Sequence, residues 1–138
     1  MPDCIFCKII NKETPSKIIY ENDLVIAILD AFPSSLGHTL IIPKKHFVNI
    51  YDVEEEYLVE IIKVAKKLSL AYKEVWGIDN LQLIHNAGQD AQQKVFHFHL
   101  HLIPRKAGDG INLAHAQVDV SEEKKMAFWE KLRKANFS

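Results

Sequence analysis

One stretch constrains this chain more than any other: Val95-Phe96-His97-Phe98-His99-Leu100-His101-Leu102-Ile103-Pro104. Side chains alternate faces along a β-strand, so a strand over 95–104 puts His97, His99 and His101 on one face, roughly 6.5–7 Å apart. Phe96, Phe98, Leu100 and Leu102 then form an apolar opposite face that can bury against a helix. Histidine has only a modest strand preference, so propensity asks for no such series. A line of imidazoles across one ligand-sized site suits a metal centre, a nucleophile with its helpers, or both.

The rest of the chain narrows the setting. Its 138 residues fit one domain, 1–138, with enough length to bury a core. A formal net charge of -1 gives no field drawing it to nucleic acid or an anionic membrane. The basic tract Pro43-Lys44-Lys45-His46 is too short for a nucleic-acid patch. No apolar run approaches the roughly 20 residues that span a bilayer. Met1-Pro2-Asp3-Cys4 lacks the basic and apolar regions of a signal peptide, so the expectation is a cytoplasmic protein. The cysteines form one Cys4-Ile5-Phe6-Cys7 pair, which in a reducing compartment points to metal or redox chemistry rather than a structural disulfide.

Local patterns predict the order of elements. A short helical turn follows Cys7 and ends before Pro15. Strands are predicted at 17–21, 24–30 and 38–43, the first two as a hairpin around Glu21-Asn22-Asp23 and the third closed by Pro43. A long helix runs from about Val53 to Val75, with Tyr57, Leu58, Ile61, Ile62, Ala65, Leu68 and Tyr72 at helical spacing and Gly77 as its stop. Acids at its start and lysines later suit the helix dipole. A fourth strand at 81–86 leads through a polar loop, Asn86 to Lys94, into the histidine strand, and a final helix over 118–135 is capped by Ser121. The predicted class is α+β: a five-stranded antiparallel sheet with one long helix and a C-terminal helix, the helices on one face.

The segment His97-Phe98-His99-Leu100-His101-Leu102-Ile103 resembles the motif H-φ-H-φ-H-φ-φ, φ apolar, that names the histidine triad (HIT) superfamily. Gly37-His38-Thr39-Leu40-Ile41-Ile42-Pro43-Lys44 resembles the family's second recurrent block, and Asn86-Ala87-Gly88 with Gln93-Lys94-Val95 resembles the loop before the triad. The likeness runs from about Cys4 to Arg105 and is nearest the Hint and Fhit branches. It implies a HIT-like fold and a nucleotide hydrolase or transferase acting at the α-phosphate of purine nucleoside phosphoramidates or dinucleoside polyphosphates. The resemblance makes His99 the nucleophile that forms a nucleotidyl-histidine intermediate, with His101 on the phosphate and leaving group and His38 in support. A neutral imidazole is a competent nucleophile near neutral pH.

The resemblance also assigns nucleotide binding to Asp30, at the ribose hydroxyls, and to Asn86, Gln93, Lys94, His99 and His101 around the phosphate. Backbone amides of Gln92-Gln93-Lys94 are expected to help. Several relatives carry Ser or Thr where this chain has Lys94, which leaves that side chain either a point charge on phosphate or directed to solvent. Phe6, Ile9 and Ile28 either wall an apolar slot for the base or belong to the core. Cys4-x-x-Cys7 is the usual half of a zinc site. The pattern of many bacterial HIT proteins supplies His46 and His97 as the other half, a closed structural zinc. A homodimer is implied by resemblance only. His85 and His115 match no role and read as ordinary surface or partly buried histidines. Two rivals remain: a metal-dependent hydrolase using the three triad histidines as ligands, and a non-catalytic nucleotide-binding or interaction protein with a structural zinc.

Overall fold

In the computed structural model residues 3–113 and 115–137 are described. The elements are α1 (Ile5–Ile10), β1 (Ile18–Glu21), β2 (Val25–Leu29), β3 (Thr39–Pro43), α2 (Glu55–Trp76), β4 (Leu81–Ile84), β5 (Leu100–Pro104) and α3 (Glu122–Arg133). The strands form one antiparallel sheet in the order β1-β2-β3-β5-β4. β5, the last strand in sequence, lies between β3 and β4 because α2 carries the chain across one face and β4 returns at the edge.

Alternation along β2 and β3 divides the core into two layers. Val25, Ala27 and Ile41 pack with Phe98, Leu100, Leu102 and the α2 residues Ile61, Val64, Ala65 and Leu68. Ile26, Ile28, Leu40 and Ile42 face the other way, onto Phe6 and Ile9 of α1. The expectation of helices on one face is therefore corrected: α1 covers one side of the sheet and α2 the other. That is why both central strands are buried almost throughout. Within α2, Val64 is buried and Ile62 is not, a shift of the apolar stripe that helical periodicity alone does not resolve.

The predicted stop and cap are both present. Gly77 closes α2 in the left-handed conformation (φ 66°); its N–H donates to the Lys73 carbonyl and the Ile78 N–H to the Tyr72 carbonyl. The Ser121 hydroxyl accepts from the Lys124 N–H at the start of α3, and no residue of α3 is buried. The chain leaves β5 through Arg105, whose guanidinium grips Asp109 with both arms and reaches Gln82 Oε1 on β4. No helix among the described residues is long and apolar enough to cross a membrane.

One predicted boundary moves. The strand expected over 95–104 begins only at Leu100. β3 pairs with β5 no further back than Ile41 opposite Leu100, and β4 no further than Ile84 opposite His101. Beyond Pro43 the neighbouring chain turns away, and among the described residues the histidine segment joins it through one backbone–backbone bond, Phe98 N–H to the Phe47 carbonyl (2.6 Å). Alternation survives this departure. His97 and His99 are buried on the α1 side, Phe98 is buried on the α2 side, and only Phe96, 48% exposed, escapes the pattern.

Candidate active site

Burial pushes His97 and His101 down to about 4, and it lowers His99 and His38 as well. All four rings are therefore neutral near pH 7, and each carries one N–H and one lone pair. The hydrogen bonds then decide which nitrogen is which.

His97 Nε2 lies 2.9 Å from the Pro43 carbonyl, an acceptor, so Nε2 holds the hydrogen and Nδ1 presents its lone pair. That lone pair faces Cys4 Sγ at 3.3 Å and Cys7 Sγ at 3.6 Å, while His46 Nδ1 lies 3.4 Å from Cys7 Sγ. The four ligand atoms lie within 4.8 Å of one another. In a tetrahedron with ordinary Zn–S and Zn–N bonds, sulfur and nitrogen ligands are about 3.6 Å apart. The donor set, the spacing and the carbonyl that fixes the ring of His97 all suit a closed Cys2His2 zinc site. α1 supplies the local geometry, since Cys4 is its N-cap and its sulfur accepts from the Cys7 N–H.

Two residues on, the orientation reverses. His99 Nδ1 lies 2.7 Å from the His97 carbonyl, so Nδ1 is the donor and Nε2 carries the lone pair. His38 is buried and its Nδ1 accepts from the Ser34 N–H (2.9 Å). His38 Nε2–H therefore donates to His101 Nδ1 (2.9 Å), with Asp30 Oδ2 at 3.5 Å. His101 is left with its hydrogen on Nε2. The result is a lone pair on His99 beside an N–H on His101, their rings 4.9 Å apart and steeply tilted. The three triad rings do not converge on one point, which removes the three-histidine metal hydrolase. Asp30, His38 and His101 do lie close enough for an ion, but the 2.9 Å contact between the two imidazoles is a hydrogen bond, and a proton occupies it.

His99 and His101 line a cleft of about 1380 Å³ shared with Phe6, Ile9, Ile28 and Asp30. Phe6 and Ile9 belong to the core and also wall the cleft, so the two sequence alternatives for them hold together. Asp30 is a turn residue, its Oδ1 accepting from the Phe32 N–H (2.9 Å), and it also lines the cleft. A separate groove of about 850 Å³ beside Leu36, Tyr72 and Trp76 holds none of these groups.

The loop between β4 and β5 brings Asn86 and Lys94 to the cleft, neither side chain hydrogen-bonded among the described residues. It does not use its amides as expected. The Gln92 N–H donates to Gln89 and the Gln93 N–H to Gly88, so of the three only the Lys94 N–H is free for a ligand. Gln93 is buried and does not line the cleft. Its amide instead accepts from Gly88 N–H (2.8 Å) and Asn49 Nδ2 (3.3 Å) and donates to the Val48 (2.7 Å) and Val95 (3.1 Å) carbonyls. Gln93 builds the loop rather than touching a ligand directly. Gly88 (φ 93°) and Gln92 (φ 69°) make the turns this requires.

Two histidines that sequence reasoning left aside lie near these groups. His115 is among the residues lining the cleft. His85 stacks on Phe98, with ring centroids 4.3 Å apart, and stands behind His99. Only its place directly after β4 and beside Asn86 could have marked it.

Comparison with known proteins gives these contacts a context. The family described as HIT domain matches residues 11–108. An uncharacterized HIT-like protein of Borreliella burgdorferi is 47% identical over 114 residues, covering 80% of this chain and 81% of that one. An adenosine 5'-monophosphoramidase of Saccharomyces cerevisiae is 42% identical over 103 residues, 75% of this chain and 63% of that one. A crystal structure of a zinc-bound histidine triad family protein from Mycobacterium smegmatis superposes with a TM-score of 0.77 at 33% identity, over 98% of this chain and 99% of that one.

Proposed function

This chain belongs to the HIT family, and from that footing we propose that it is a nucleotide hydrolase or transferase acting at the α-phosphate of purine nucleoside phosphoramidates or dinucleoside polyphosphates. The observation that carries the reading is the pair of opposed tautomers, a lone pair on His99 Nε2 next to a hydrogen on His101 Nε2, at the floor of one cleft.

In this reading the nucleoside lies against Phe6, Ile9 and Ile28, and Asp30 accepts from the ribose hydroxyls. His99 Nε2 attacks the α-phosphorus. An N–P bond forms as the bond to the leaving group breaks, and the imidazole becomes cationic, with its Nδ1–H held by the His97 carbonyl. His101 Nε2–H, Asn86 and the Lys94 N–H donate to the phosphate oxygens and departing atom, where negative charge grows. His101 acts as a hydrogen-bond donor; His38 holds it in that tautomer. The departing group takes its proton from solvent. Water then attacks phosphorus and gives a proton back to solvent, the N–P bond breaks with its electron pair returning to Nε2, and neutral His99 and the nucleoside monophosphate are released.

The same reading includes a structural zinc on Cys4, Cys7, His46 and His97. When bound, it would cross-link α1 to the triad segment and leave no open position for chemistry. It also includes a homodimer. The exposed β4 edge and the outward α2 residues Val59, Ile62 and Leu70 support that expectation, and sedimentation tests it.

The deciding experiment is AMP release from an adenosine phosphoramidate, wild type against His99→Ala. AMP from wild type alone supports the reading. AMP from both overturns the assignment of the nucleophile. AMP from neither moves the substrate to dinucleoside polyphosphates, and failure there leaves the non-catalytic binder.

A further inference from the structure

We propose that His85 is a positioning residue that sets the height of the nucleophile His99 in the cleft; the proposal rests on the reading of His99 given above. β4 and β5 pair as far as Ile84 opposite His101, and there the two chains part to open the loop over the cleft. Parting leaves the His99 carbonyl, at the mouth of the sheet, without a ladder partner from β4. The next side chain of β4 takes that place. His85 Nδ1 lies 3.2 Å from the His99 carbonyl oxygen.

The polarity of this bond is fixed from the other side of the ring. His85 Nε2 accepts from the Ile50 N–H at 3.1 Å. A neutral imidazole with an accepting Nε2 must carry its hydrogen on Nδ1, so His85 donates to the His99 carbonyl. The plane of the ring is fixed as well, stacked on Phe98 with an interplanar angle of 22°. Three constraints thus locate one ring, and the ring locates the backbone of His99.

That backbone needs locating. Residues 95–99 lie outside the sheet ladder, and among the described residues the one hydrogen bond of the His99 side chain is to the His97 carbonyl, two residues back. Without His85, the hold from the β4 side is lost. Ile50 adds a second connection. Its loop, 48–52, is closed by Asp52 accepting from the Val48 and Asn49 N–H groups, and it also holds Gln93 through Val48 and Asn49. One small turn therefore registers both the nucleophile, through His85, and the phosphate loop, through Gln93. A displacement of about 1 Å in a reacting group can cost on the order of a hundredfold in rate.

The test compares His85→Phe, which keeps the ring on Phe98 but neither hydrogen bond, with His85→Gln, whose amide both donates and accepts. Single-turnover formation of the nucleotidyl adduct on the full chain is followed with a phosphoramidate radiolabelled at phosphorus, alongside steady-state kcat and KM. His85→Phe is expected to lower adduct formation and kcat by about tenfold to a hundredfold with KM within about threefold, and His85→Gln to recover most of the loss. Should His85→Phe fail to fold, His85→Leu, which also removes both hydrogen bonds, takes its place in the comparison with His85→Gln. Adduct formation at the wild-type rate in both variants, or equal impairment in both, overturns the proposal while leaving His99 as nucleophile. Absence of an adduct on wild type removes the underlying reading, and this proposal with it.

Discussion

His97 and His101 sit four residues apart on one segment, and each ends in a different kind of site. The His97 end is closed, with two thiols and two imidazoles around a point shielded by α1. The His101 end is open, in a cleft large enough for a nucleotide. Residue type does not separate them, since both rings are neutral and pushed down to about 4 by burial. What separates them is the partner of the second nitrogen. A backbone carbonyl on Nε2 of His97 leaves the lone pair on Nδ1, facing the two thiols. A backbone carbonyl on Nδ1 of His99 leaves the lone pair on Nε2, at the cleft. A donating His38 on Nδ1 of His101 turns its Nε2 into a donor. Chemistry along the triad is assigned by backbone carbonyls and one neighbouring ring.

The sharpest break in this comparison comes from removing one residue at each end. His99→Ala should abolish turnover yet leave AMP affinity within about tenfold and the melting temperature close to wild type. Cys4→Ser should do the reverse. Metal content, read by elemental analysis of the purified protein, should fall, and the melting temperature should drop on the order of 10 °C. An unchanged metal content would remove Cys4 from the ligand set. A His99→Ala variant that loses metal would merge the two ends into one site.

A pH profile probes the open end more gently. His101 in the folded protein takes up a proton only near 4, whereas in the unfolded chain it does so near 6.5. Between those values the unfolded state binds more protons, so stability falls as the solution is acidified through that window. A protonated His101 can no longer accept from His38, so the relay that orients it breaks. Activity is therefore expected to hold through pH 6 and to decline toward 4. An acid limb centred near 6.5 would mean that burial does not govern this ring.

Much of this was legible in sequence, for identifiable reasons. The long helix, its glycine stop and the Ser121 cap follow local rules that the tertiary structure does not override. The triad alternation and Cys4-x-x-Cys7 each place chemistry on one side of a short segment, and the structure brings His46 and His97 to those cysteines. What escaped depended on contacts distant in sequence. The start of β5 is set by where its neighbours stop, not by its own residues. The role of His85 depends on Ile50, 35 positions away. Two covered faces of the sheet could not be told from one, because a six-residue α1 carries too little periodicity to announce its packing.

The smallest expected effect separates two adjacent residues that the sequence treated alike. Gln93 and Lys94 were both expected to bind phosphate, but Gln93 is buried with its amide in four hydrogen bonds, while Lys94 is exposed and contributes a free N–H. Gln93→Leu strands the Gly88 N–H and two carbonyls, so the loop should loosen and kcat/KM should fall about tenfold. Lys94→Ala keeps the backbone amide and removes only a solvated charge, so kcat/KM toward a phosphoramidate should stay within about threefold. A larger loss in Lys94→Ala than in Gln93→Leu would show that the loop works through its charge. The comparison drawn along the triad would then stop at the histidines, because the residues just before them would be selecting substrate by side chain rather than by the backbone they hold in place.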